Sequence, residues 1–194
     1  MLGENMEKKE YMPPDRIFTV SKFLSPEECD EYIAMSEKIG YDIATINAVG
    51  GHVIRPDVRN NNRVILDDIK LAENIWQKLK AFVPAVFEDR QVLGLNERFR
   101  FYRYSPGQYF KPHYDGCFRR ANGEQSQLTL MIYLNDGFVG SETGFDLRYP
   151  YFDITIVPQK GMALCFDHYL LHEGKALLKG QKYVLRTDIM YSAA

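Results

Sequence analysis

Cysteine is scarce and unpatterned. Cys29, Cys117 and Cys165 are odd in number with no CxxC spacing, which argues against a disulfide framework or a cysteine zinc site and suits reduced thiols. Neither sign of charge is in excess: the formal net charge is −2, so bulk attraction to nucleic acid or to a membrane surface is not indicated. No apolar run approaches a membrane span, and MLGENMEKKEYMPPDR places charge where a secretory signal needs apolar residues. The expectation is a cytoplasmic protein. Repeats, linkers and low-complexity segments are also missing, so the 194 residues read as one domain over 16–194 behind a poorly ordered lead-in, 1–15, that ends in Pro13-Pro14.

What is plentiful is aromatic residues, 13% of the chain, enough to point to β-structure or an aromatic-lined pocket. Two helices are expected. Ser25 as N-cap, Pro26 at the first helical position and Glu28 closing a capping box start the first, whose periodic face ends before Gly40. The second is predicted from Asp67 to about Phe82 by Ile69, Ala72, Ile75, Trp76, Leu79 and Phe82. Between them lie short β-like runs, Gly50-Gly51 and the polar loop Arg59 to Arg63. From residue 91 onward, VLGLNERFRFYRY, QYFKPHYD, QLTLMIYLND, FDITIVP, GMALCFDH and QKYVLRTDIMY read as strands separated by turns. The fold class is therefore mostly β (α+β), a barrel-like or jelly-roll sheet with the helices over one outer face.

Alternation adds a second layer. Leu128, Leu130, Ile132 and Leu134 share one face, opposite Thr129, Met131, Tyr133 and Asn135; Lys182, Val184, Arg186 and Asp188 share a face opposite Tyr183, Leu185, Thr187 and Ile189. A sheet that turns Lys, Arg and Asp inward needs an anion, a metal or partner charges there, because unpaired buried charge is costly. His113 and Asp115, two apart on an expected strand, can face one ion, and His172 from another strand would complete two imidazoles and a carboxylate, a set suited to ferrous iron with open positions. Tyr114, Asp167 and His168 are candidates to orient those ligands. A rival is the HYLLH spacing of His168 and His172, which on a helix could hold zinc, although Tyr169 stands where the catalytic Glu of such a motif belongs.

From about residue 98 to 191 the chain resembles the iron(II)- and 2-oxoglutarate-dependent dioxygenases, in particular the prolyl and lysyl hydroxylase branch. The segments carrying the resemblance arrive in the family's order: YSPGQYFKPHYD, LNDGFVGSETGF, VPQKGMALCFDH and LLHEGKALLKGQKYVLRTDIMY. It implies a double-stranded β-helix, a jelly-roll or cupin-like fold. It implies His113, Asp115 and His172 as iron ligands, Lys182 as partner of the distal carboxylate of 2-oxoglutarate, and Tyr133 and Tyr104 as further co-substrate contacts. Arg186, on the same face as Lys182, is the second choice for the anion, and several relatives carry Arg where this chain has Lys182. The implied cofactors and co-substrates are Fe(II), 2-oxoglutarate and dioxygen, with ascorbate as an auxiliary reductant. The implied reaction is hydroxylation of a prolyl residue of a protein or peptide, with lysyl as second choice; Asp115 stands where halogenating members carry a small residue. Arg59, Asn62, Arg63 and Arg119 are expected substrate contacts. The alternatives are a small-molecule or nucleic-acid oxidising member of the same superfamily, and a jelly-roll module that binds metal and ligand without turnover.

Overall fold

Two capping side chains set the helices. The Ser25 hydroxyl accepts from the Glu28 amide, and the Glu28 carboxylate returns a bond to the Ser25 amide, closing the expected capping box on α1 (Pro26–Ile39). The second helix starts later than its periodicity predicts. Asp67 is the last residue of a strand and pairs with Arg98 across it, so the cap passes to Asp68, whose carboxylate accepts from the Leu71 amide; the helix runs Ile69–Leu79.

The computed structural model describes residues 5–11, 14–48, 51–147 and 152–193; Pro13 and Gly50 of the expected turns lie outside them. Within these residues the chain runs through β1 (Glu7–Glu10), β2 (Ile17–Ser21), α1, β3 (Asp42–Ile43), β4 (Ile46–Ala48), β5 (Gly51–Val53), β6 (Asn62–Asp67), α2 (Ile69–Leu79), β7 (Val86–Phe87), β8 (Arg90–Leu95), β9 (Arg98–Tyr104) and β10 (Phe110–His113). It continues through β11 (Gln125–Tyr133), β12 (Val139–Gly140), β13 (Thr143–Asp146), β14 (Ile154–Ile156), β15 (Ala163–Asp167), β16 (Leu171–Gly174), β17 (Leu177–Lys179) and β18 (Lys182–Tyr191). A large antiparallel sheet has the order β1-β2-β15-β11-β18-β9-β6-β3, with β8 also on β18; a smaller sheet has the order β10-β16-β13-β14.

The alternation of β11 and β18 sorts the molecule into layers. Leu128, Leu130, Ile132, Leu185 and Ile189 pack with Cys29, Leu71, Ile75 and Leu79 of the helices on the outer face of the large sheet. Tyr133, Val184, Tyr102 and Tyr104 turn the other way, into a second core shared with Phe145 and Ile156 of the smaller sheet. Two antiparallel sheets enclosing an inner core, with helices backing the larger one, make a double-stranded β-helix that is mostly β, as expected.

Three local expectations are corrected. The lead-in is not wholly unordered, since Glu7–Glu10 adds an antiparallel strand to β2 (Glu10 opposite Phe18). The run from Val92 to Tyr104 is two strands, broken where the Asn96 amide donates to Asp188 O (2.8 Å) and its side chain accepts from the Arg98 amide. Asp115 lies past the end of β10, not on a regular strand, and its amide donates to His168 O (3.1 Å).

Candidate metal and co-substrate site

His113 ends β10 and His172 sits on β16, directly opposite it in register, so the two rings enter the inner core from one face, 4.3 Å apart between centroids. Each ring is fixed by its backbone. His113 Nδ1 lies 2.7 Å from Lys111 O and His172 Nδ1 2.9 Å from Leu170 O. A carbonyl only accepts, so both Nδ1 atoms carry the proton and both Nε2 atoms present a bare lone pair. Asp115 closes the triangle, with Oδ1 3.8 Å from His113 Nε2 and Oδ2 3.7 Å from His172 Nε2. The three ligand atoms lie within 4.8 Å of one another. Burial pushes His113 down to about 3, with His172 adding to it, and burial also lowers His172, so both are neutral near pH 7. Burial alone would raise the Asp115 carboxyl; the Arg186 guanidinium, with the Thr129 hydroxyl bond adding to it, outweighs burial and holds it well below the usual range.

Asp115 is held by a hydrogen-bond chain whose direction is fully determined. Its carboxylate can only accept, so the Thr129 hydroxyl donates to Oδ2 (2.5 Å). Thr129 has then used its proton and must accept from His168 Nδ1–H (3.0 Å). That tautomer leaves His168 Nε2 bare, and the Ser126 hydroxyl donates to it (2.8 Å) while accepting from the Phe118 amide (2.8 Å). Both ring nitrogens of His168 are thereby occupied and its loop is a turn, which removes the zinc pair with His172. Arg186 adds Nη2 at 3.1 Å from Asp115 Oδ2 and reaches Asp188 (3.2 Å). Of the other orienting candidates, Tyr114 is exposed and Asp167 pairs with Arg16.

Lys182 lies at the opposite end of the same pocket, whose walls include Tyr102, Tyr104, Met131, Thr143 and Gly174. It is 2% exposed, donates to Ser141 O and is ringed by Tyr104, Tyr133 and Phe138, with no carboxylate in ion-pairing distance among the described residues. Burial pushes its ammonium down to about 7. Two buried polar atoms are orphaned here, one at each end: Ser141 Oγ, on the residue whose carbonyl accepts from Lys182 and whose φ is 60, and Arg186 Nε, on the guanidinium that pairs with Asp115. A buried ammonium beside the unmet Ser141 hydroxyl at one end, with bare imidazole nitrogens and a carboxylate at the other, fits a dicarboxylate that chelates a metal. Tyr104, raised to about 12 by burial, lines the pocket. Tyr133 stands behind the wall, its hydroxyl 2.7 Å from Thr143 Oγ1, and Thr143 faces the pocket. The sequence reading did not single out Thr143 or Tyr102; their places on the inner faces of β13 and β9 follow from the same alternation that located Lys182.

Arg59 lies over the Tyr102 ring at 4.9 Å, and Arg63 sits opposite Tyr102 across β6 and β9. Asn62 turns its side-chain oxygen toward Gln108 Nε2 (3.4 Å), a loop tie. Arg119 is exposed and does not line the pocket, while its neighbour Arg120 is held by Glu97 and Glu124.

Two imidazoles and one carboxylate clustered between the sheets of a β-helix form the arrangement of a mononuclear non-haem iron oxygenase. Residues 99–187 match the family model of the 2OG-Fe(II) oxygenase superfamily, and the chain belongs to that superfamily. It is 31% identical over 191 residues to prolyl 4-hydroxylase 1 of Arabidopsis thaliana, an alignment that covers 87% of this chain and 66% of that relative's length. Among solved structures it resembles the viral collagen prolyl hydroxylase of Paramecium Bursaria Chlorella virus-1, solved as a 2-oxoglutarate complex (TM-score 0.61, 24% identity, 99% of this chain and 98% of that one). It also resembles a Trichoplax adhaerens prolyl hydroxylase solved with a hypoxia inducible factor peptide fragment (TM-score 0.71, 14% identity, 91% and 84%). At those identities the two structures speak for the fold.

Proposed function

We propose that this chain is an Fe(II)- and 2-oxoglutarate-dependent hydroxylase of prolyl residues in a protein or peptide. The observation that carries the reading is the pairing, inside one pocket, of the His113–Asp115–His172 cluster with the buried Lys182, which among the described residues has no carboxylate within ion-pairing distance. The likeness to prolyl 4-hydroxylase 1 supports the choice of prolyl over lysyl. His113, Asp115 and His172 hold the iron, and Lys182, with Tyr104 and Thr143 beside it, takes the distal carboxylate of 2-oxoglutarate. Bound together, iron and 2-oxoglutarate supply the oxidation: 2-oxoglutarate and dioxygen give succinate and carbon dioxide, and one oxygen atom enters a substrate C–H bond.

The chain's own residues prepare that chemistry. Lys111 O and Leu170 O fix the imidazole tautomers, so no proton must leave a ring before metal enters. Thr129 and Arg186 occupy Asp115 Oδ2, which leaves Oδ1 as the freer ligand atom. Arg186 is thereby committed to Asp115 and Asp188, so the anion role falls to Lys182. The test is succinate release from purified protein given ferrous iron, ascorbate and 2-oxoglutarate. Release that vanishes in His113→Ala is expected; tight iron and 2-oxoglutarate binding without any succinate would instead favour a binding module.

A further inference from the structure

The wall formed by β6, β9 and β18 carries more positive charge than the groups described so far use. Arg186 and Arg100 lie opposite each other across β18 and β9, and Tyr102 and Arg63 across β9 and β6, so all four share the inner face. Arg186 and Arg100 divide Asp188 between them, each 3.2 Å from one of its oxygens. Among the described residues Arg63 donates only to Thr45, to O at 3.3 Å and to Oγ1 at 2.8 Å. Arg59 is 4% exposed, yet its Nε and Nη2 both go to the single oxygen Asn61 Oδ1 (3.0 and 2.8 Å), and Nη1 has no hydrogen-bond partner among the described residues. Its guanidinium lies over two pocket-lining rings, 4.2 Å from Phe110 and 4.9 Å from Tyr102. Phe110 in turn stacks on His113 at 3.5 Å. Among the described residues, no carboxylate is within ion-pairing distance of Arg59 or Arg63.

The arginines act on their surroundings. Burial would raise the Tyr102 phenol, but Arg186, Arg59 and Arg100 bring it below its ordinary value. Burial pushes the Arg63 guanidinium down, and Arg59, Arg100 and Arg186 add to it. Iron(II) and the 2-oxoglutarate dianion would bring equal and opposite charge, and the dianion's distal end is taken by Lys182. The surplus at Arg59 and Arg63 therefore remains once both are bound. A nearly buried cation with a free N–H edge beside a pocket is costly unless a ligand supplies the anion, and a guanidinium fork fits a carboxylate best.

We propose that Arg59 and Arg63 form a substrate subsite, beside Phe110 and Tyr102, that holds a carboxylate, so that the peptide taken here carries an Asp or Glu close in sequence to the hydroxylated residue. The inference rests on the peptide-hydroxylase reading and adds a side-chain specificity to it. Apolar contact with Phe110 and Tyr102 accommodates the ring of the target residue, and the arginines set its register.

The test uses the full chain loaded with ferrous iron and 2-oxoglutarate under nitrogen. Fluorescein-labelled proline peptides that differ only by Asp against Asn, placed in turn at each position flanking the proline, are compared by anisotropy. At one position the acidic peptide should bind at least about tenfold more tightly. Arg63→Gln and Arg59→Gln should each reduce that ratio toward unity, and Arg63→Glu should move the preference to a peptide with Lys at that position. Should Arg59→Gln fail to fold, the two Arg63 variants decide. Equal affinity for every pair in the wild type would overturn the subsite, as would a preference that survives both Gln variants, or variants that weaken 2-oxoglutarate alone. Acid-selective binding with no hydroxylated proline after admission of air would leave the subsite standing and sink the hydroxylase reading.

Discussion

At the scale of single residues, the site is made by groups whose hydrogen bonds leave them one option. Thr129 is the clearest case, because it sits between Asp115 Oδ2 and His168 Nδ1 and is wholly buried. Thr129→Val keeps the shape and removes the hydroxyl, leaving His168 Nδ1–H unpaired and Asp115 dependent on Arg186. Metal affinity should fall by roughly 10–100-fold, read by Mn(II) EPR titration, with the fold retained; unchanged affinity would remove Thr129 from the positioning network. Lys182 gives a pH prediction. Its folded pKa of about 7 lies below the ordinary 10.5, so without ligand the unfolded chain holds this proton more tightly between those values. Stability from this group therefore rises with pH through that window, and its full cost is present below about pH 7. Binding of 2-oxoglutarate needs the charged form: affinity should be greatest below about pH 7 and weaken by about tenfold per pH unit above it, a slope that Lys182→Arg should abolish. Isothermal titration at several pH values checks this, and a flat profile in the wild type would contradict it.

Elements were legible in proportion to how local their causes are. The capping box of α1 and the alternation of β11 and β18 are written in adjacent residues, and they placed the helix layer and the inward charges correctly. The start of α2 was misread because Asp67 is claimed by Arg98 on β9, a partner distant in sequence. Asp115 was placed on a strand for the same kind of reason: its true anchor is His168 O on the loop before β16. Thr143 and Arg59 went unassigned or half-assigned because their roles depend on which strands face each other across the inner core, and local pattern does not carry that. One junction is strict enough to test. Gly161 has φ 77, and a Cβ there would come 2.2 Å from Leu24 O, at the point where the lead into α1 meets the strand β15. Gly161→Ala should lower stability by about 1–3 kcal/mol, measured by urea denaturation; a loss within error would show that this contact yields at no cost.

On the scale of the whole molecule, the large sheet has two jobs, one per face. Its outer face is apolar and held by α1 and α2; its inner face carries Lys182, Arg186, Tyr102 and Tyr104 and trades stability for binding. Lys182→Met should therefore raise the melting temperature of the ligand-free protein, by the equivalent of about 1–4 kcal/mol, while removing the stabilisation that 2-oxoglutarate confers on the wild type. Differential scanning fluorimetry with and without 2-oxoglutarate reads both effects, and a variant that is less stable in the free form would show that Lys182 is structural. No helix among the described residues is long and apolar enough to cross a membrane. The central claim, that this pocket inserts one atom of dioxygen into a prolyl residue at the expense of 2-oxoglutarate, is tested most directly by a reaction under 18O2 followed by mass spectrometry. The account predicts one labelled oxygen in a proline of the peptide and one in succinate, in equal amounts, with neither formed by His172→Ala. Labelled succinate alongside label confined to free metabolites, with no labelled proline in any peptide, would contradict it.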